Sequence, residues 1–122
     1  TPYIYKNNSS HYLLFIIPKE NTDITYLKTL VSDFNIRNYS SDIFEINSMM
    51  LGIERHILLI KKFENANRVS KYKKMIESDQ SINNELEKTE HITIIISQEN
   101  YTEFYKNKDI EGYSKFFKNN YP

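Results

Sequence analysis

Three histidines, His11, His56 and His91, are the side chains of this 122-residue chain best suited to hold a metal or to move a proton near neutral pH. Each opens an apolar run: His11-Tyr-Leu-Leu-Phe-Ile-Ile-Pro18, His56-Ile-Leu-Leu-Ile60 and His91-Ile-Thr-Ile-Ile-Ile96. Zinc needs its nitrogen ligands about 2.1 Å from one point, so the fold decides whether they can act together. Cysteine is absent, which removes thiolate ligands, thiol catalysis and disulfides. Ser9-Ser10-His11 and Ser40-Ser41-Asp42 carry the residue types of a hydrolase but lack the strand-turn-helix elbow that presents a nucleophile. Glu85, Glu87 and Glu90 lie in a polar stretch with no apolar pocket to shift a carboxyl pKa. Gly52 and Gly112, the two glycines, cannot build a phosphate-cradling loop. No catalytic constellation assembles, and the expectation is a non-enzyme without metal or cofactor.

The elements that would position these residues follow from apolar spacing. The run through Tyr12 to Ile17, ended by Pro18, is the mark of a strand buried on both faces. Ile24, Leu27, Leu30, Val31 and Phe34 recur at helical spacing behind Asn21, Thr22 and Asp23, any of which can cap. Residues 43–51 alternate in part, as expected for a half-buried edge strand, and Gly52-Ile-Glu-Arg55 is a plausible hairpin turn. A strand from His56 to Ile60 precedes Asn65, an N-cap for a helix with Ala66, Val69, Tyr72 and Ile76 on its apolar stripe. Ser78 to Glu90 reads as a loop with one helical turn, and His91 to Ile96 as the fourth strand.

The predicted fold class is α+β: a ferredoxin-like βαββαβ domain over residues 11–122, strand order 4-1-3-2, with a C-terminal helical extension and a linker at 1–10. That order puts His11 at the opposite end of the sheet from His56 and His91, which are themselves about 10 Å apart across the first strand. One zinc ion cannot bridge them.

The tail, "NYTEFYKNKDIEGYSKFFKNNYP", repeats an aromatic pattern: Tyr101, Phe104 and Tyr105, then Tyr113, Phe116 and Phe117, with Tyr121 after them. The i, i+3, i+4 spacing is a helical stripe, and Asp109 can cap a second helix after the Asn107-Lys108 break. Leu13 with Leu14, Leu58 with Leu59, and Ile94 with Ile95 put bulk on both faces of the sheet, so a second cover is needed. The tail is expected to supply it, burying Phe104, Phe116 and Phe117. The competing reading leaves Tyr101, Tyr105, Tyr113 and Tyr121 as an open aromatic surface. Phe44, Met49, Met50 and Leu51 form an apolar cluster on the edge strand, a candidate partner-binding site.

Sixteen basic and sixteen acidic side chains cancel, so nothing argues for a nucleic-acid partner. No apolar run approaches the roughly 20 residues of a membrane span. The chain opens at Thr1-Pro2 without Met, which reads as an excised fragment with any export signal or lipid anchor lying outside it.

The segments "HYLLFIIP", "LKTLVSDFN", "RHILLIKKFENANRVSKYKKMI" and "IISQENYTEFYKNKDIEGYSKFFKNNY" together resemble the C-terminal domain of long tetratricopeptide-repeat lipoproteins (SprE/PorW-like) of Bacteroidota. The resemblance implies a part in gliding motility and the type IX secretion system, on the periplasmic side of the outer membrane, with protein components of that machinery as partners. The stretch "ILLIKKFENANRVSKYKKMI" is also similar to half of a SPOR domain, a βαββαβ module that binds peptidoglycan glycan strands. Such modules usually place a glycine before the Phe and an alanine in the next helix. Here Lys62 precedes Phe63, and Ala66 falls earlier than that alanine.

Overall fold

Two of the continuous apolar runs become the inner strands, and the third and the half-polar run become the two edges. The computed structural model describes all 122 residues. Along the chain it has β1 (His11–Pro18), α1 (Ile24–Asn38), β2 (Glu45–Leu51), β3 (Arg55–Phe63), α2 (Ala66–Ile76), α3 (Gln80–Leu86), β4 (Ile92–Ser97), α4 (Gln98–Asn107) and α5 (Ile110–Asn120). The four strands form one antiparallel sheet in the order β2-β3-β1-β4, which read from the β4 edge is 4-1-3-2.

Capping side chains start the helices where the sequence offers them. Asp23, Asn65 and Asp109 each accept a hydrogen bond from the backbone N–H three residues on, at Tyr26, Arg68 and Gly112. Of the three residues able to cap α1, Asp23 does so. At Gly112 the cap comes so close that a Cβ would lie 2.0 Å from a carboxylate oxygen of Asp109.

Helices cover both faces of the sheet. Phe15 and its register partner Thr93 face Ile76 of α2 and Ile82 of α3. The intervening Ile92 and Ile94 face Ile110 and Phe117 of α5. Leu13, Leu14, Phe15, Ile16 and Ile17 are all at most 1 % exposed, which accounts for the unbroken apolar run. The tail supplies the second cover: Phe104 and Tyr113 are fully buried, and Phe116 is 9 % exposed. Phe117 is only half-buried, its ring lying against Tyr121 and under the Lys73 ammonium.

Two sequence expectations are corrected. Ser78 to Glu90 is not a loop with a single turn; α3 occupies two turns of it, capped by Asp79 at the Ile82 N–H. Ile82 and Leu86, at i and i+4, are both buried, and that contact holds a segment with little helical signal of its own. Residues 1–10 do not behave as a free linker either. Tyr3 is 4 % exposed and meets Tyr113 edge-on at 4.9 Å. The amide of the buried Asn100 both accepts from the Ile4 N–H and donates to the Ile4 carbonyl, docking the segment on α4 as a strand neighbour would.

Lys62 has φ 75°, a left-handed conformation that favours glycine, at the point where the β1–β3 register slips. Its ammonium pairs with Glu45 of β2 at 2.8 Å.

Candidate functional site

The histidines do not meet. His11 pairs with Phe63 and Ser97 at one end of the sheet, whereas His56 pairs with Ile17 at the other and His91 precedes β4 there. No group of three or more His, Asp or Glu side chains is gathered closely enough to hold a metal ion. The serine-rich pairs are also engaged structurally: Ser9 donates to Glu99, and Asp42 pairs with Arg68. Glu85 of the acidic stretch pairs with Lys88.

His11 has a structural part. It is fully buried, its Nδ1 donates to the Ser9 carbonyl at 2.6 Å, and its Nε2 accepts from the Tyr121 hydroxyl at 2.8 Å. Burial holds its pKa below the usual value of 6.5, against smaller opposing effects of the Ser9 carbonyl and Glu99. The folded state therefore resists a proton that the unfolded chain takes up readily. Stability is fully present above pH 6.5 and falls as the pH drops below that value toward the folded pKa. Urea midpoints measured between pH 7.5 and pH 5, above the titration of most carboxylates, are expected to decline, and His11→Gln to flatten the decline. An unchanged slope in the variant would assign it to other groups.

The tyrosines proposed as an open surface are packing residues. Tyr113 and Tyr121 are buried at 0 % and 7 % exposure, and Tyr113 donates its hydroxyl to the Ile95 carbonyl at 2.6 Å. Burial raises the pKa of Tyr113 strongly and pushes that of Tyr121 up to about 12. Tyr101 and Tyr105 are half-buried and reach across the sheet to β2, where Tyr101 points its hydroxyl at the Met49 sulfur and Tyr105 donates to the Met50 carbonyl. α4 thus lies over the face where a platform would have been.

The apolar cluster on β2 is also less free than its composition suggests. Leu51 is 4 % exposed, and Met49 and Met50 are half-buried. Phe44 packs into an aromatic cluster with Tyr39, Phe63 and Tyr72, 4.7 Å from the Phe63 ring centre. The exposed apolar side chains next to this edge are Ile36, at 66 % exposure, and Ile43, at 91 %. With Ser32, Tyr39, Phe44 and Ile46 they line a groove of about 270 Å³ between the end of α1 and β2. An isolated isoleucine in a polar stretch gives no signal of its own, and only the fold brings the two together.

What remains open at this edge is main chain. Successive residues of an antiparallel ladder turn their N–H and C=O groups to alternate sides. The Tyr105 bond marks the Met50 peptide groups as turned away from β3, so those of Ser48 and Ile46 are too. Carried through the pairs Met50↔His56, Ile17↔His56 and Ile16↔Ile92, the same parity turns Ile95 outward on β4. There the Tyr113 hydroxyl is found. Each edge carries one tyrosine bond: Tyr113 of α5 serves the Ile95 carbonyl of β4, and beyond Tyr105 at Met50 no side chain bonds to the outward groups of β2.

Fold and site together define an α+β domain, a four-stranded antiparallel sheet with five helices and with β2 and β4 as its edges. Compared with protein-family models, curated proteins and solved structures, the chain matches none.

Proposed function

We propose that the chain is a non-catalytic protein-interaction domain with a ferredoxin-like, SPOR-like core, and that β2 is its docking edge. The observation that carries this is the row of outward peptide groups at Ile46 and Ser48 beside the exposed Ile36 and Ile43. An edge strand offering hydrogen bonds next to an apolar groove suits the addition of another strand. Following the family resemblance, the domain would serve a periplasmic, outer-membrane-associated protein of the type IX secretion and gliding machinery, anchored by lipid outside these residues. The positive φ of Lys62 supports the SPOR-like ancestry of the core, because that residue stands where such modules usually carry glycine.

Binding of peptidoglycan glycan strands is the second reading. It would use the sheet face that α4 and α5 cover, of which a groove of about 480 Å³ beside Ile92, Ile94 and Phe117 remains. Pull-down from envelope extract, run beside sedimentation with peptide-stripped peptidoglycan, separates the two. Capture of envelope proteins that Ser48→Pro abolishes supports the docking edge, since proline removes an outward donor and fills the edge. Cosedimentation with peptidoglycan that Ser48→Pro leaves intact would move the glycan reading ahead.

A further inference from the structure

We propose that the occupant of the β2 edge is the β2 edge of a second copy of this chain, paired antiparallel and two-fold about Asn47. The inference rests on the reading of β2 as a docking edge and adds the partner.

The register follows from which groups are open. Ile46 and Ser48 are the two residues inside β2 whose outward N–H and C=O groups are free, and they lie symmetrically about Asn47. With Asn47 opposite its own mate, Ile46 of each copy faces Ser48 of the other. Each such pair exchanges two hydrogen bonds, four in all. Centring on Ser48 would bring Ile46 against Met50, whose carbonyl already accepts from Tyr105. Centring on Ile46 would need Phe44, which lies outside the strand and is turned into the aromatic cluster. A two-fold axis makes the contact self-complementary and closed, so it ends at a dimer.

Charge is compatible with this pairing. Glu45, the one charged residue of β2, would face Met49 of the other copy, and it is already neutralised by Lys62. The edge carries no outward lysine of the kind that blocks such pairing. The chain as a whole has zero formal net charge, so two copies approach without long-range repulsion.

The absence of cysteine makes the register directly testable. Asn47→Cys gives the chain a single thiol at an exposed position, which in the proposed pair lies about 4.5 Å, Cα to Cα, from its mate. That separation suits a disulfide. Glu45→Cys is the control, since its mate lies several residues away along the paired strands. Under mild oxidation Asn47→Cys is expected to form covalent dimer at least about tenfold faster than Glu45→Cys. Sedimentation of the unaltered chain is expected to show a concentration-dependent dimer that Ser48→Pro abolishes. Equal cross-linking of the two cysteine variants, or a chain that stays monomeric at every concentration, overturns the proposal. If that monomer still captures envelope proteins through a Ser48-sensitive contact, the occupant is another protein and the docking edge stands. If Ser48→Pro changes neither self-association nor capture, both readings fall.

Discussion

Phe104→Ala is expected to lower the unfolding free energy by about 3–5 kcal/mol, a large share of the stability of a domain this size. Phe104 is 0 % exposed and sits where the two tail helices meet, its ring centre 5.9 Å from that of Tyr113 and 6.4 Å from that of Tyr101. The residues around it belong to the sheet cover and the α4–α5 corner. There Lys108, in a left-handed conformation, donates its N–H to the Phe104 carbonyl and ends α4. The backbone at that corner is fixed, so the space left by the ring cannot collapse easily. Urea denaturation measures the loss. Phe117→Ala serves as the internal comparison and should cost clearly less, because that ring is half-exposed. A Phe104→Ala midpoint within about 0.5 kcal/mol of the unaltered chain would show that the tail does not help form the core.

Tyr113→Phe is the second large effect, about 1–3 kcal/mol, although it removes one oxygen atom. The hydroxyl is fully buried and serves the Ile95 carbonyl, which ladder parity turns away from β1. Phenylalanine retains the ring contacts with Tyr3 and Phe116 at 4.9 and 5.5 Å, so packing changes little. What changes is a buried carbonyl left without a donor. Circular dichroism of the variant should still report the full sheet, with the urea midpoint lowered. An unshifted midpoint would mean that the β4 edge is satisfied by other means and that α5 closes it by shape alone.

The sequence carried the elements that are long or strongly patterned. The four strands, the two main helices and the paired tail helices announce themselves by apolar runs, helical stripes and capping residues, and the doubled bulk at Leu13-Leu14, Leu58-Leu59 and Ile94-Ile95 required a second cover. It did not carry α3, whose two apolar residues gain their meaning only from the cluster they reach, nor the docking of Ile4 on Asn100 of α4 and of Tyr3 on Tyr113 of α5, at the far end of the chain. The candidate site was half legible. Partial alternation marked β2 as an edge, but which of its groups stay open depends on the Tyr105 and Tyr113 hydroxyls, and no spacing rule shows where a tyrosine at a helix surface will point. Ile36 and Ile43 escaped for the same reason, being separated by a turn and joined only in space.

The bond between His11 and Tyr121 joins positions 110 residues apart, and it has a consequence for how fast the chain can fold. β1 is the first strand to be made, yet one of its two neighbours is β4, with Leu14 opposite Ile94. Closing so large a loop costs entropy before any contact rewards it, so this topology belongs to the slower class of small domains. At about 5–20 residues per second, synthesis alone separates Leu14 from Ile94 by about 4–16 s. Throughout that interval one side of β1 has no partner, and the sheet face that α4 and α5 will cover remains wet. A ribosome-bound chain ending before residue 92 is therefore expected to be captured by chaperones and cut readily by protease, and to become resistant only once the aromatic tail has emerged.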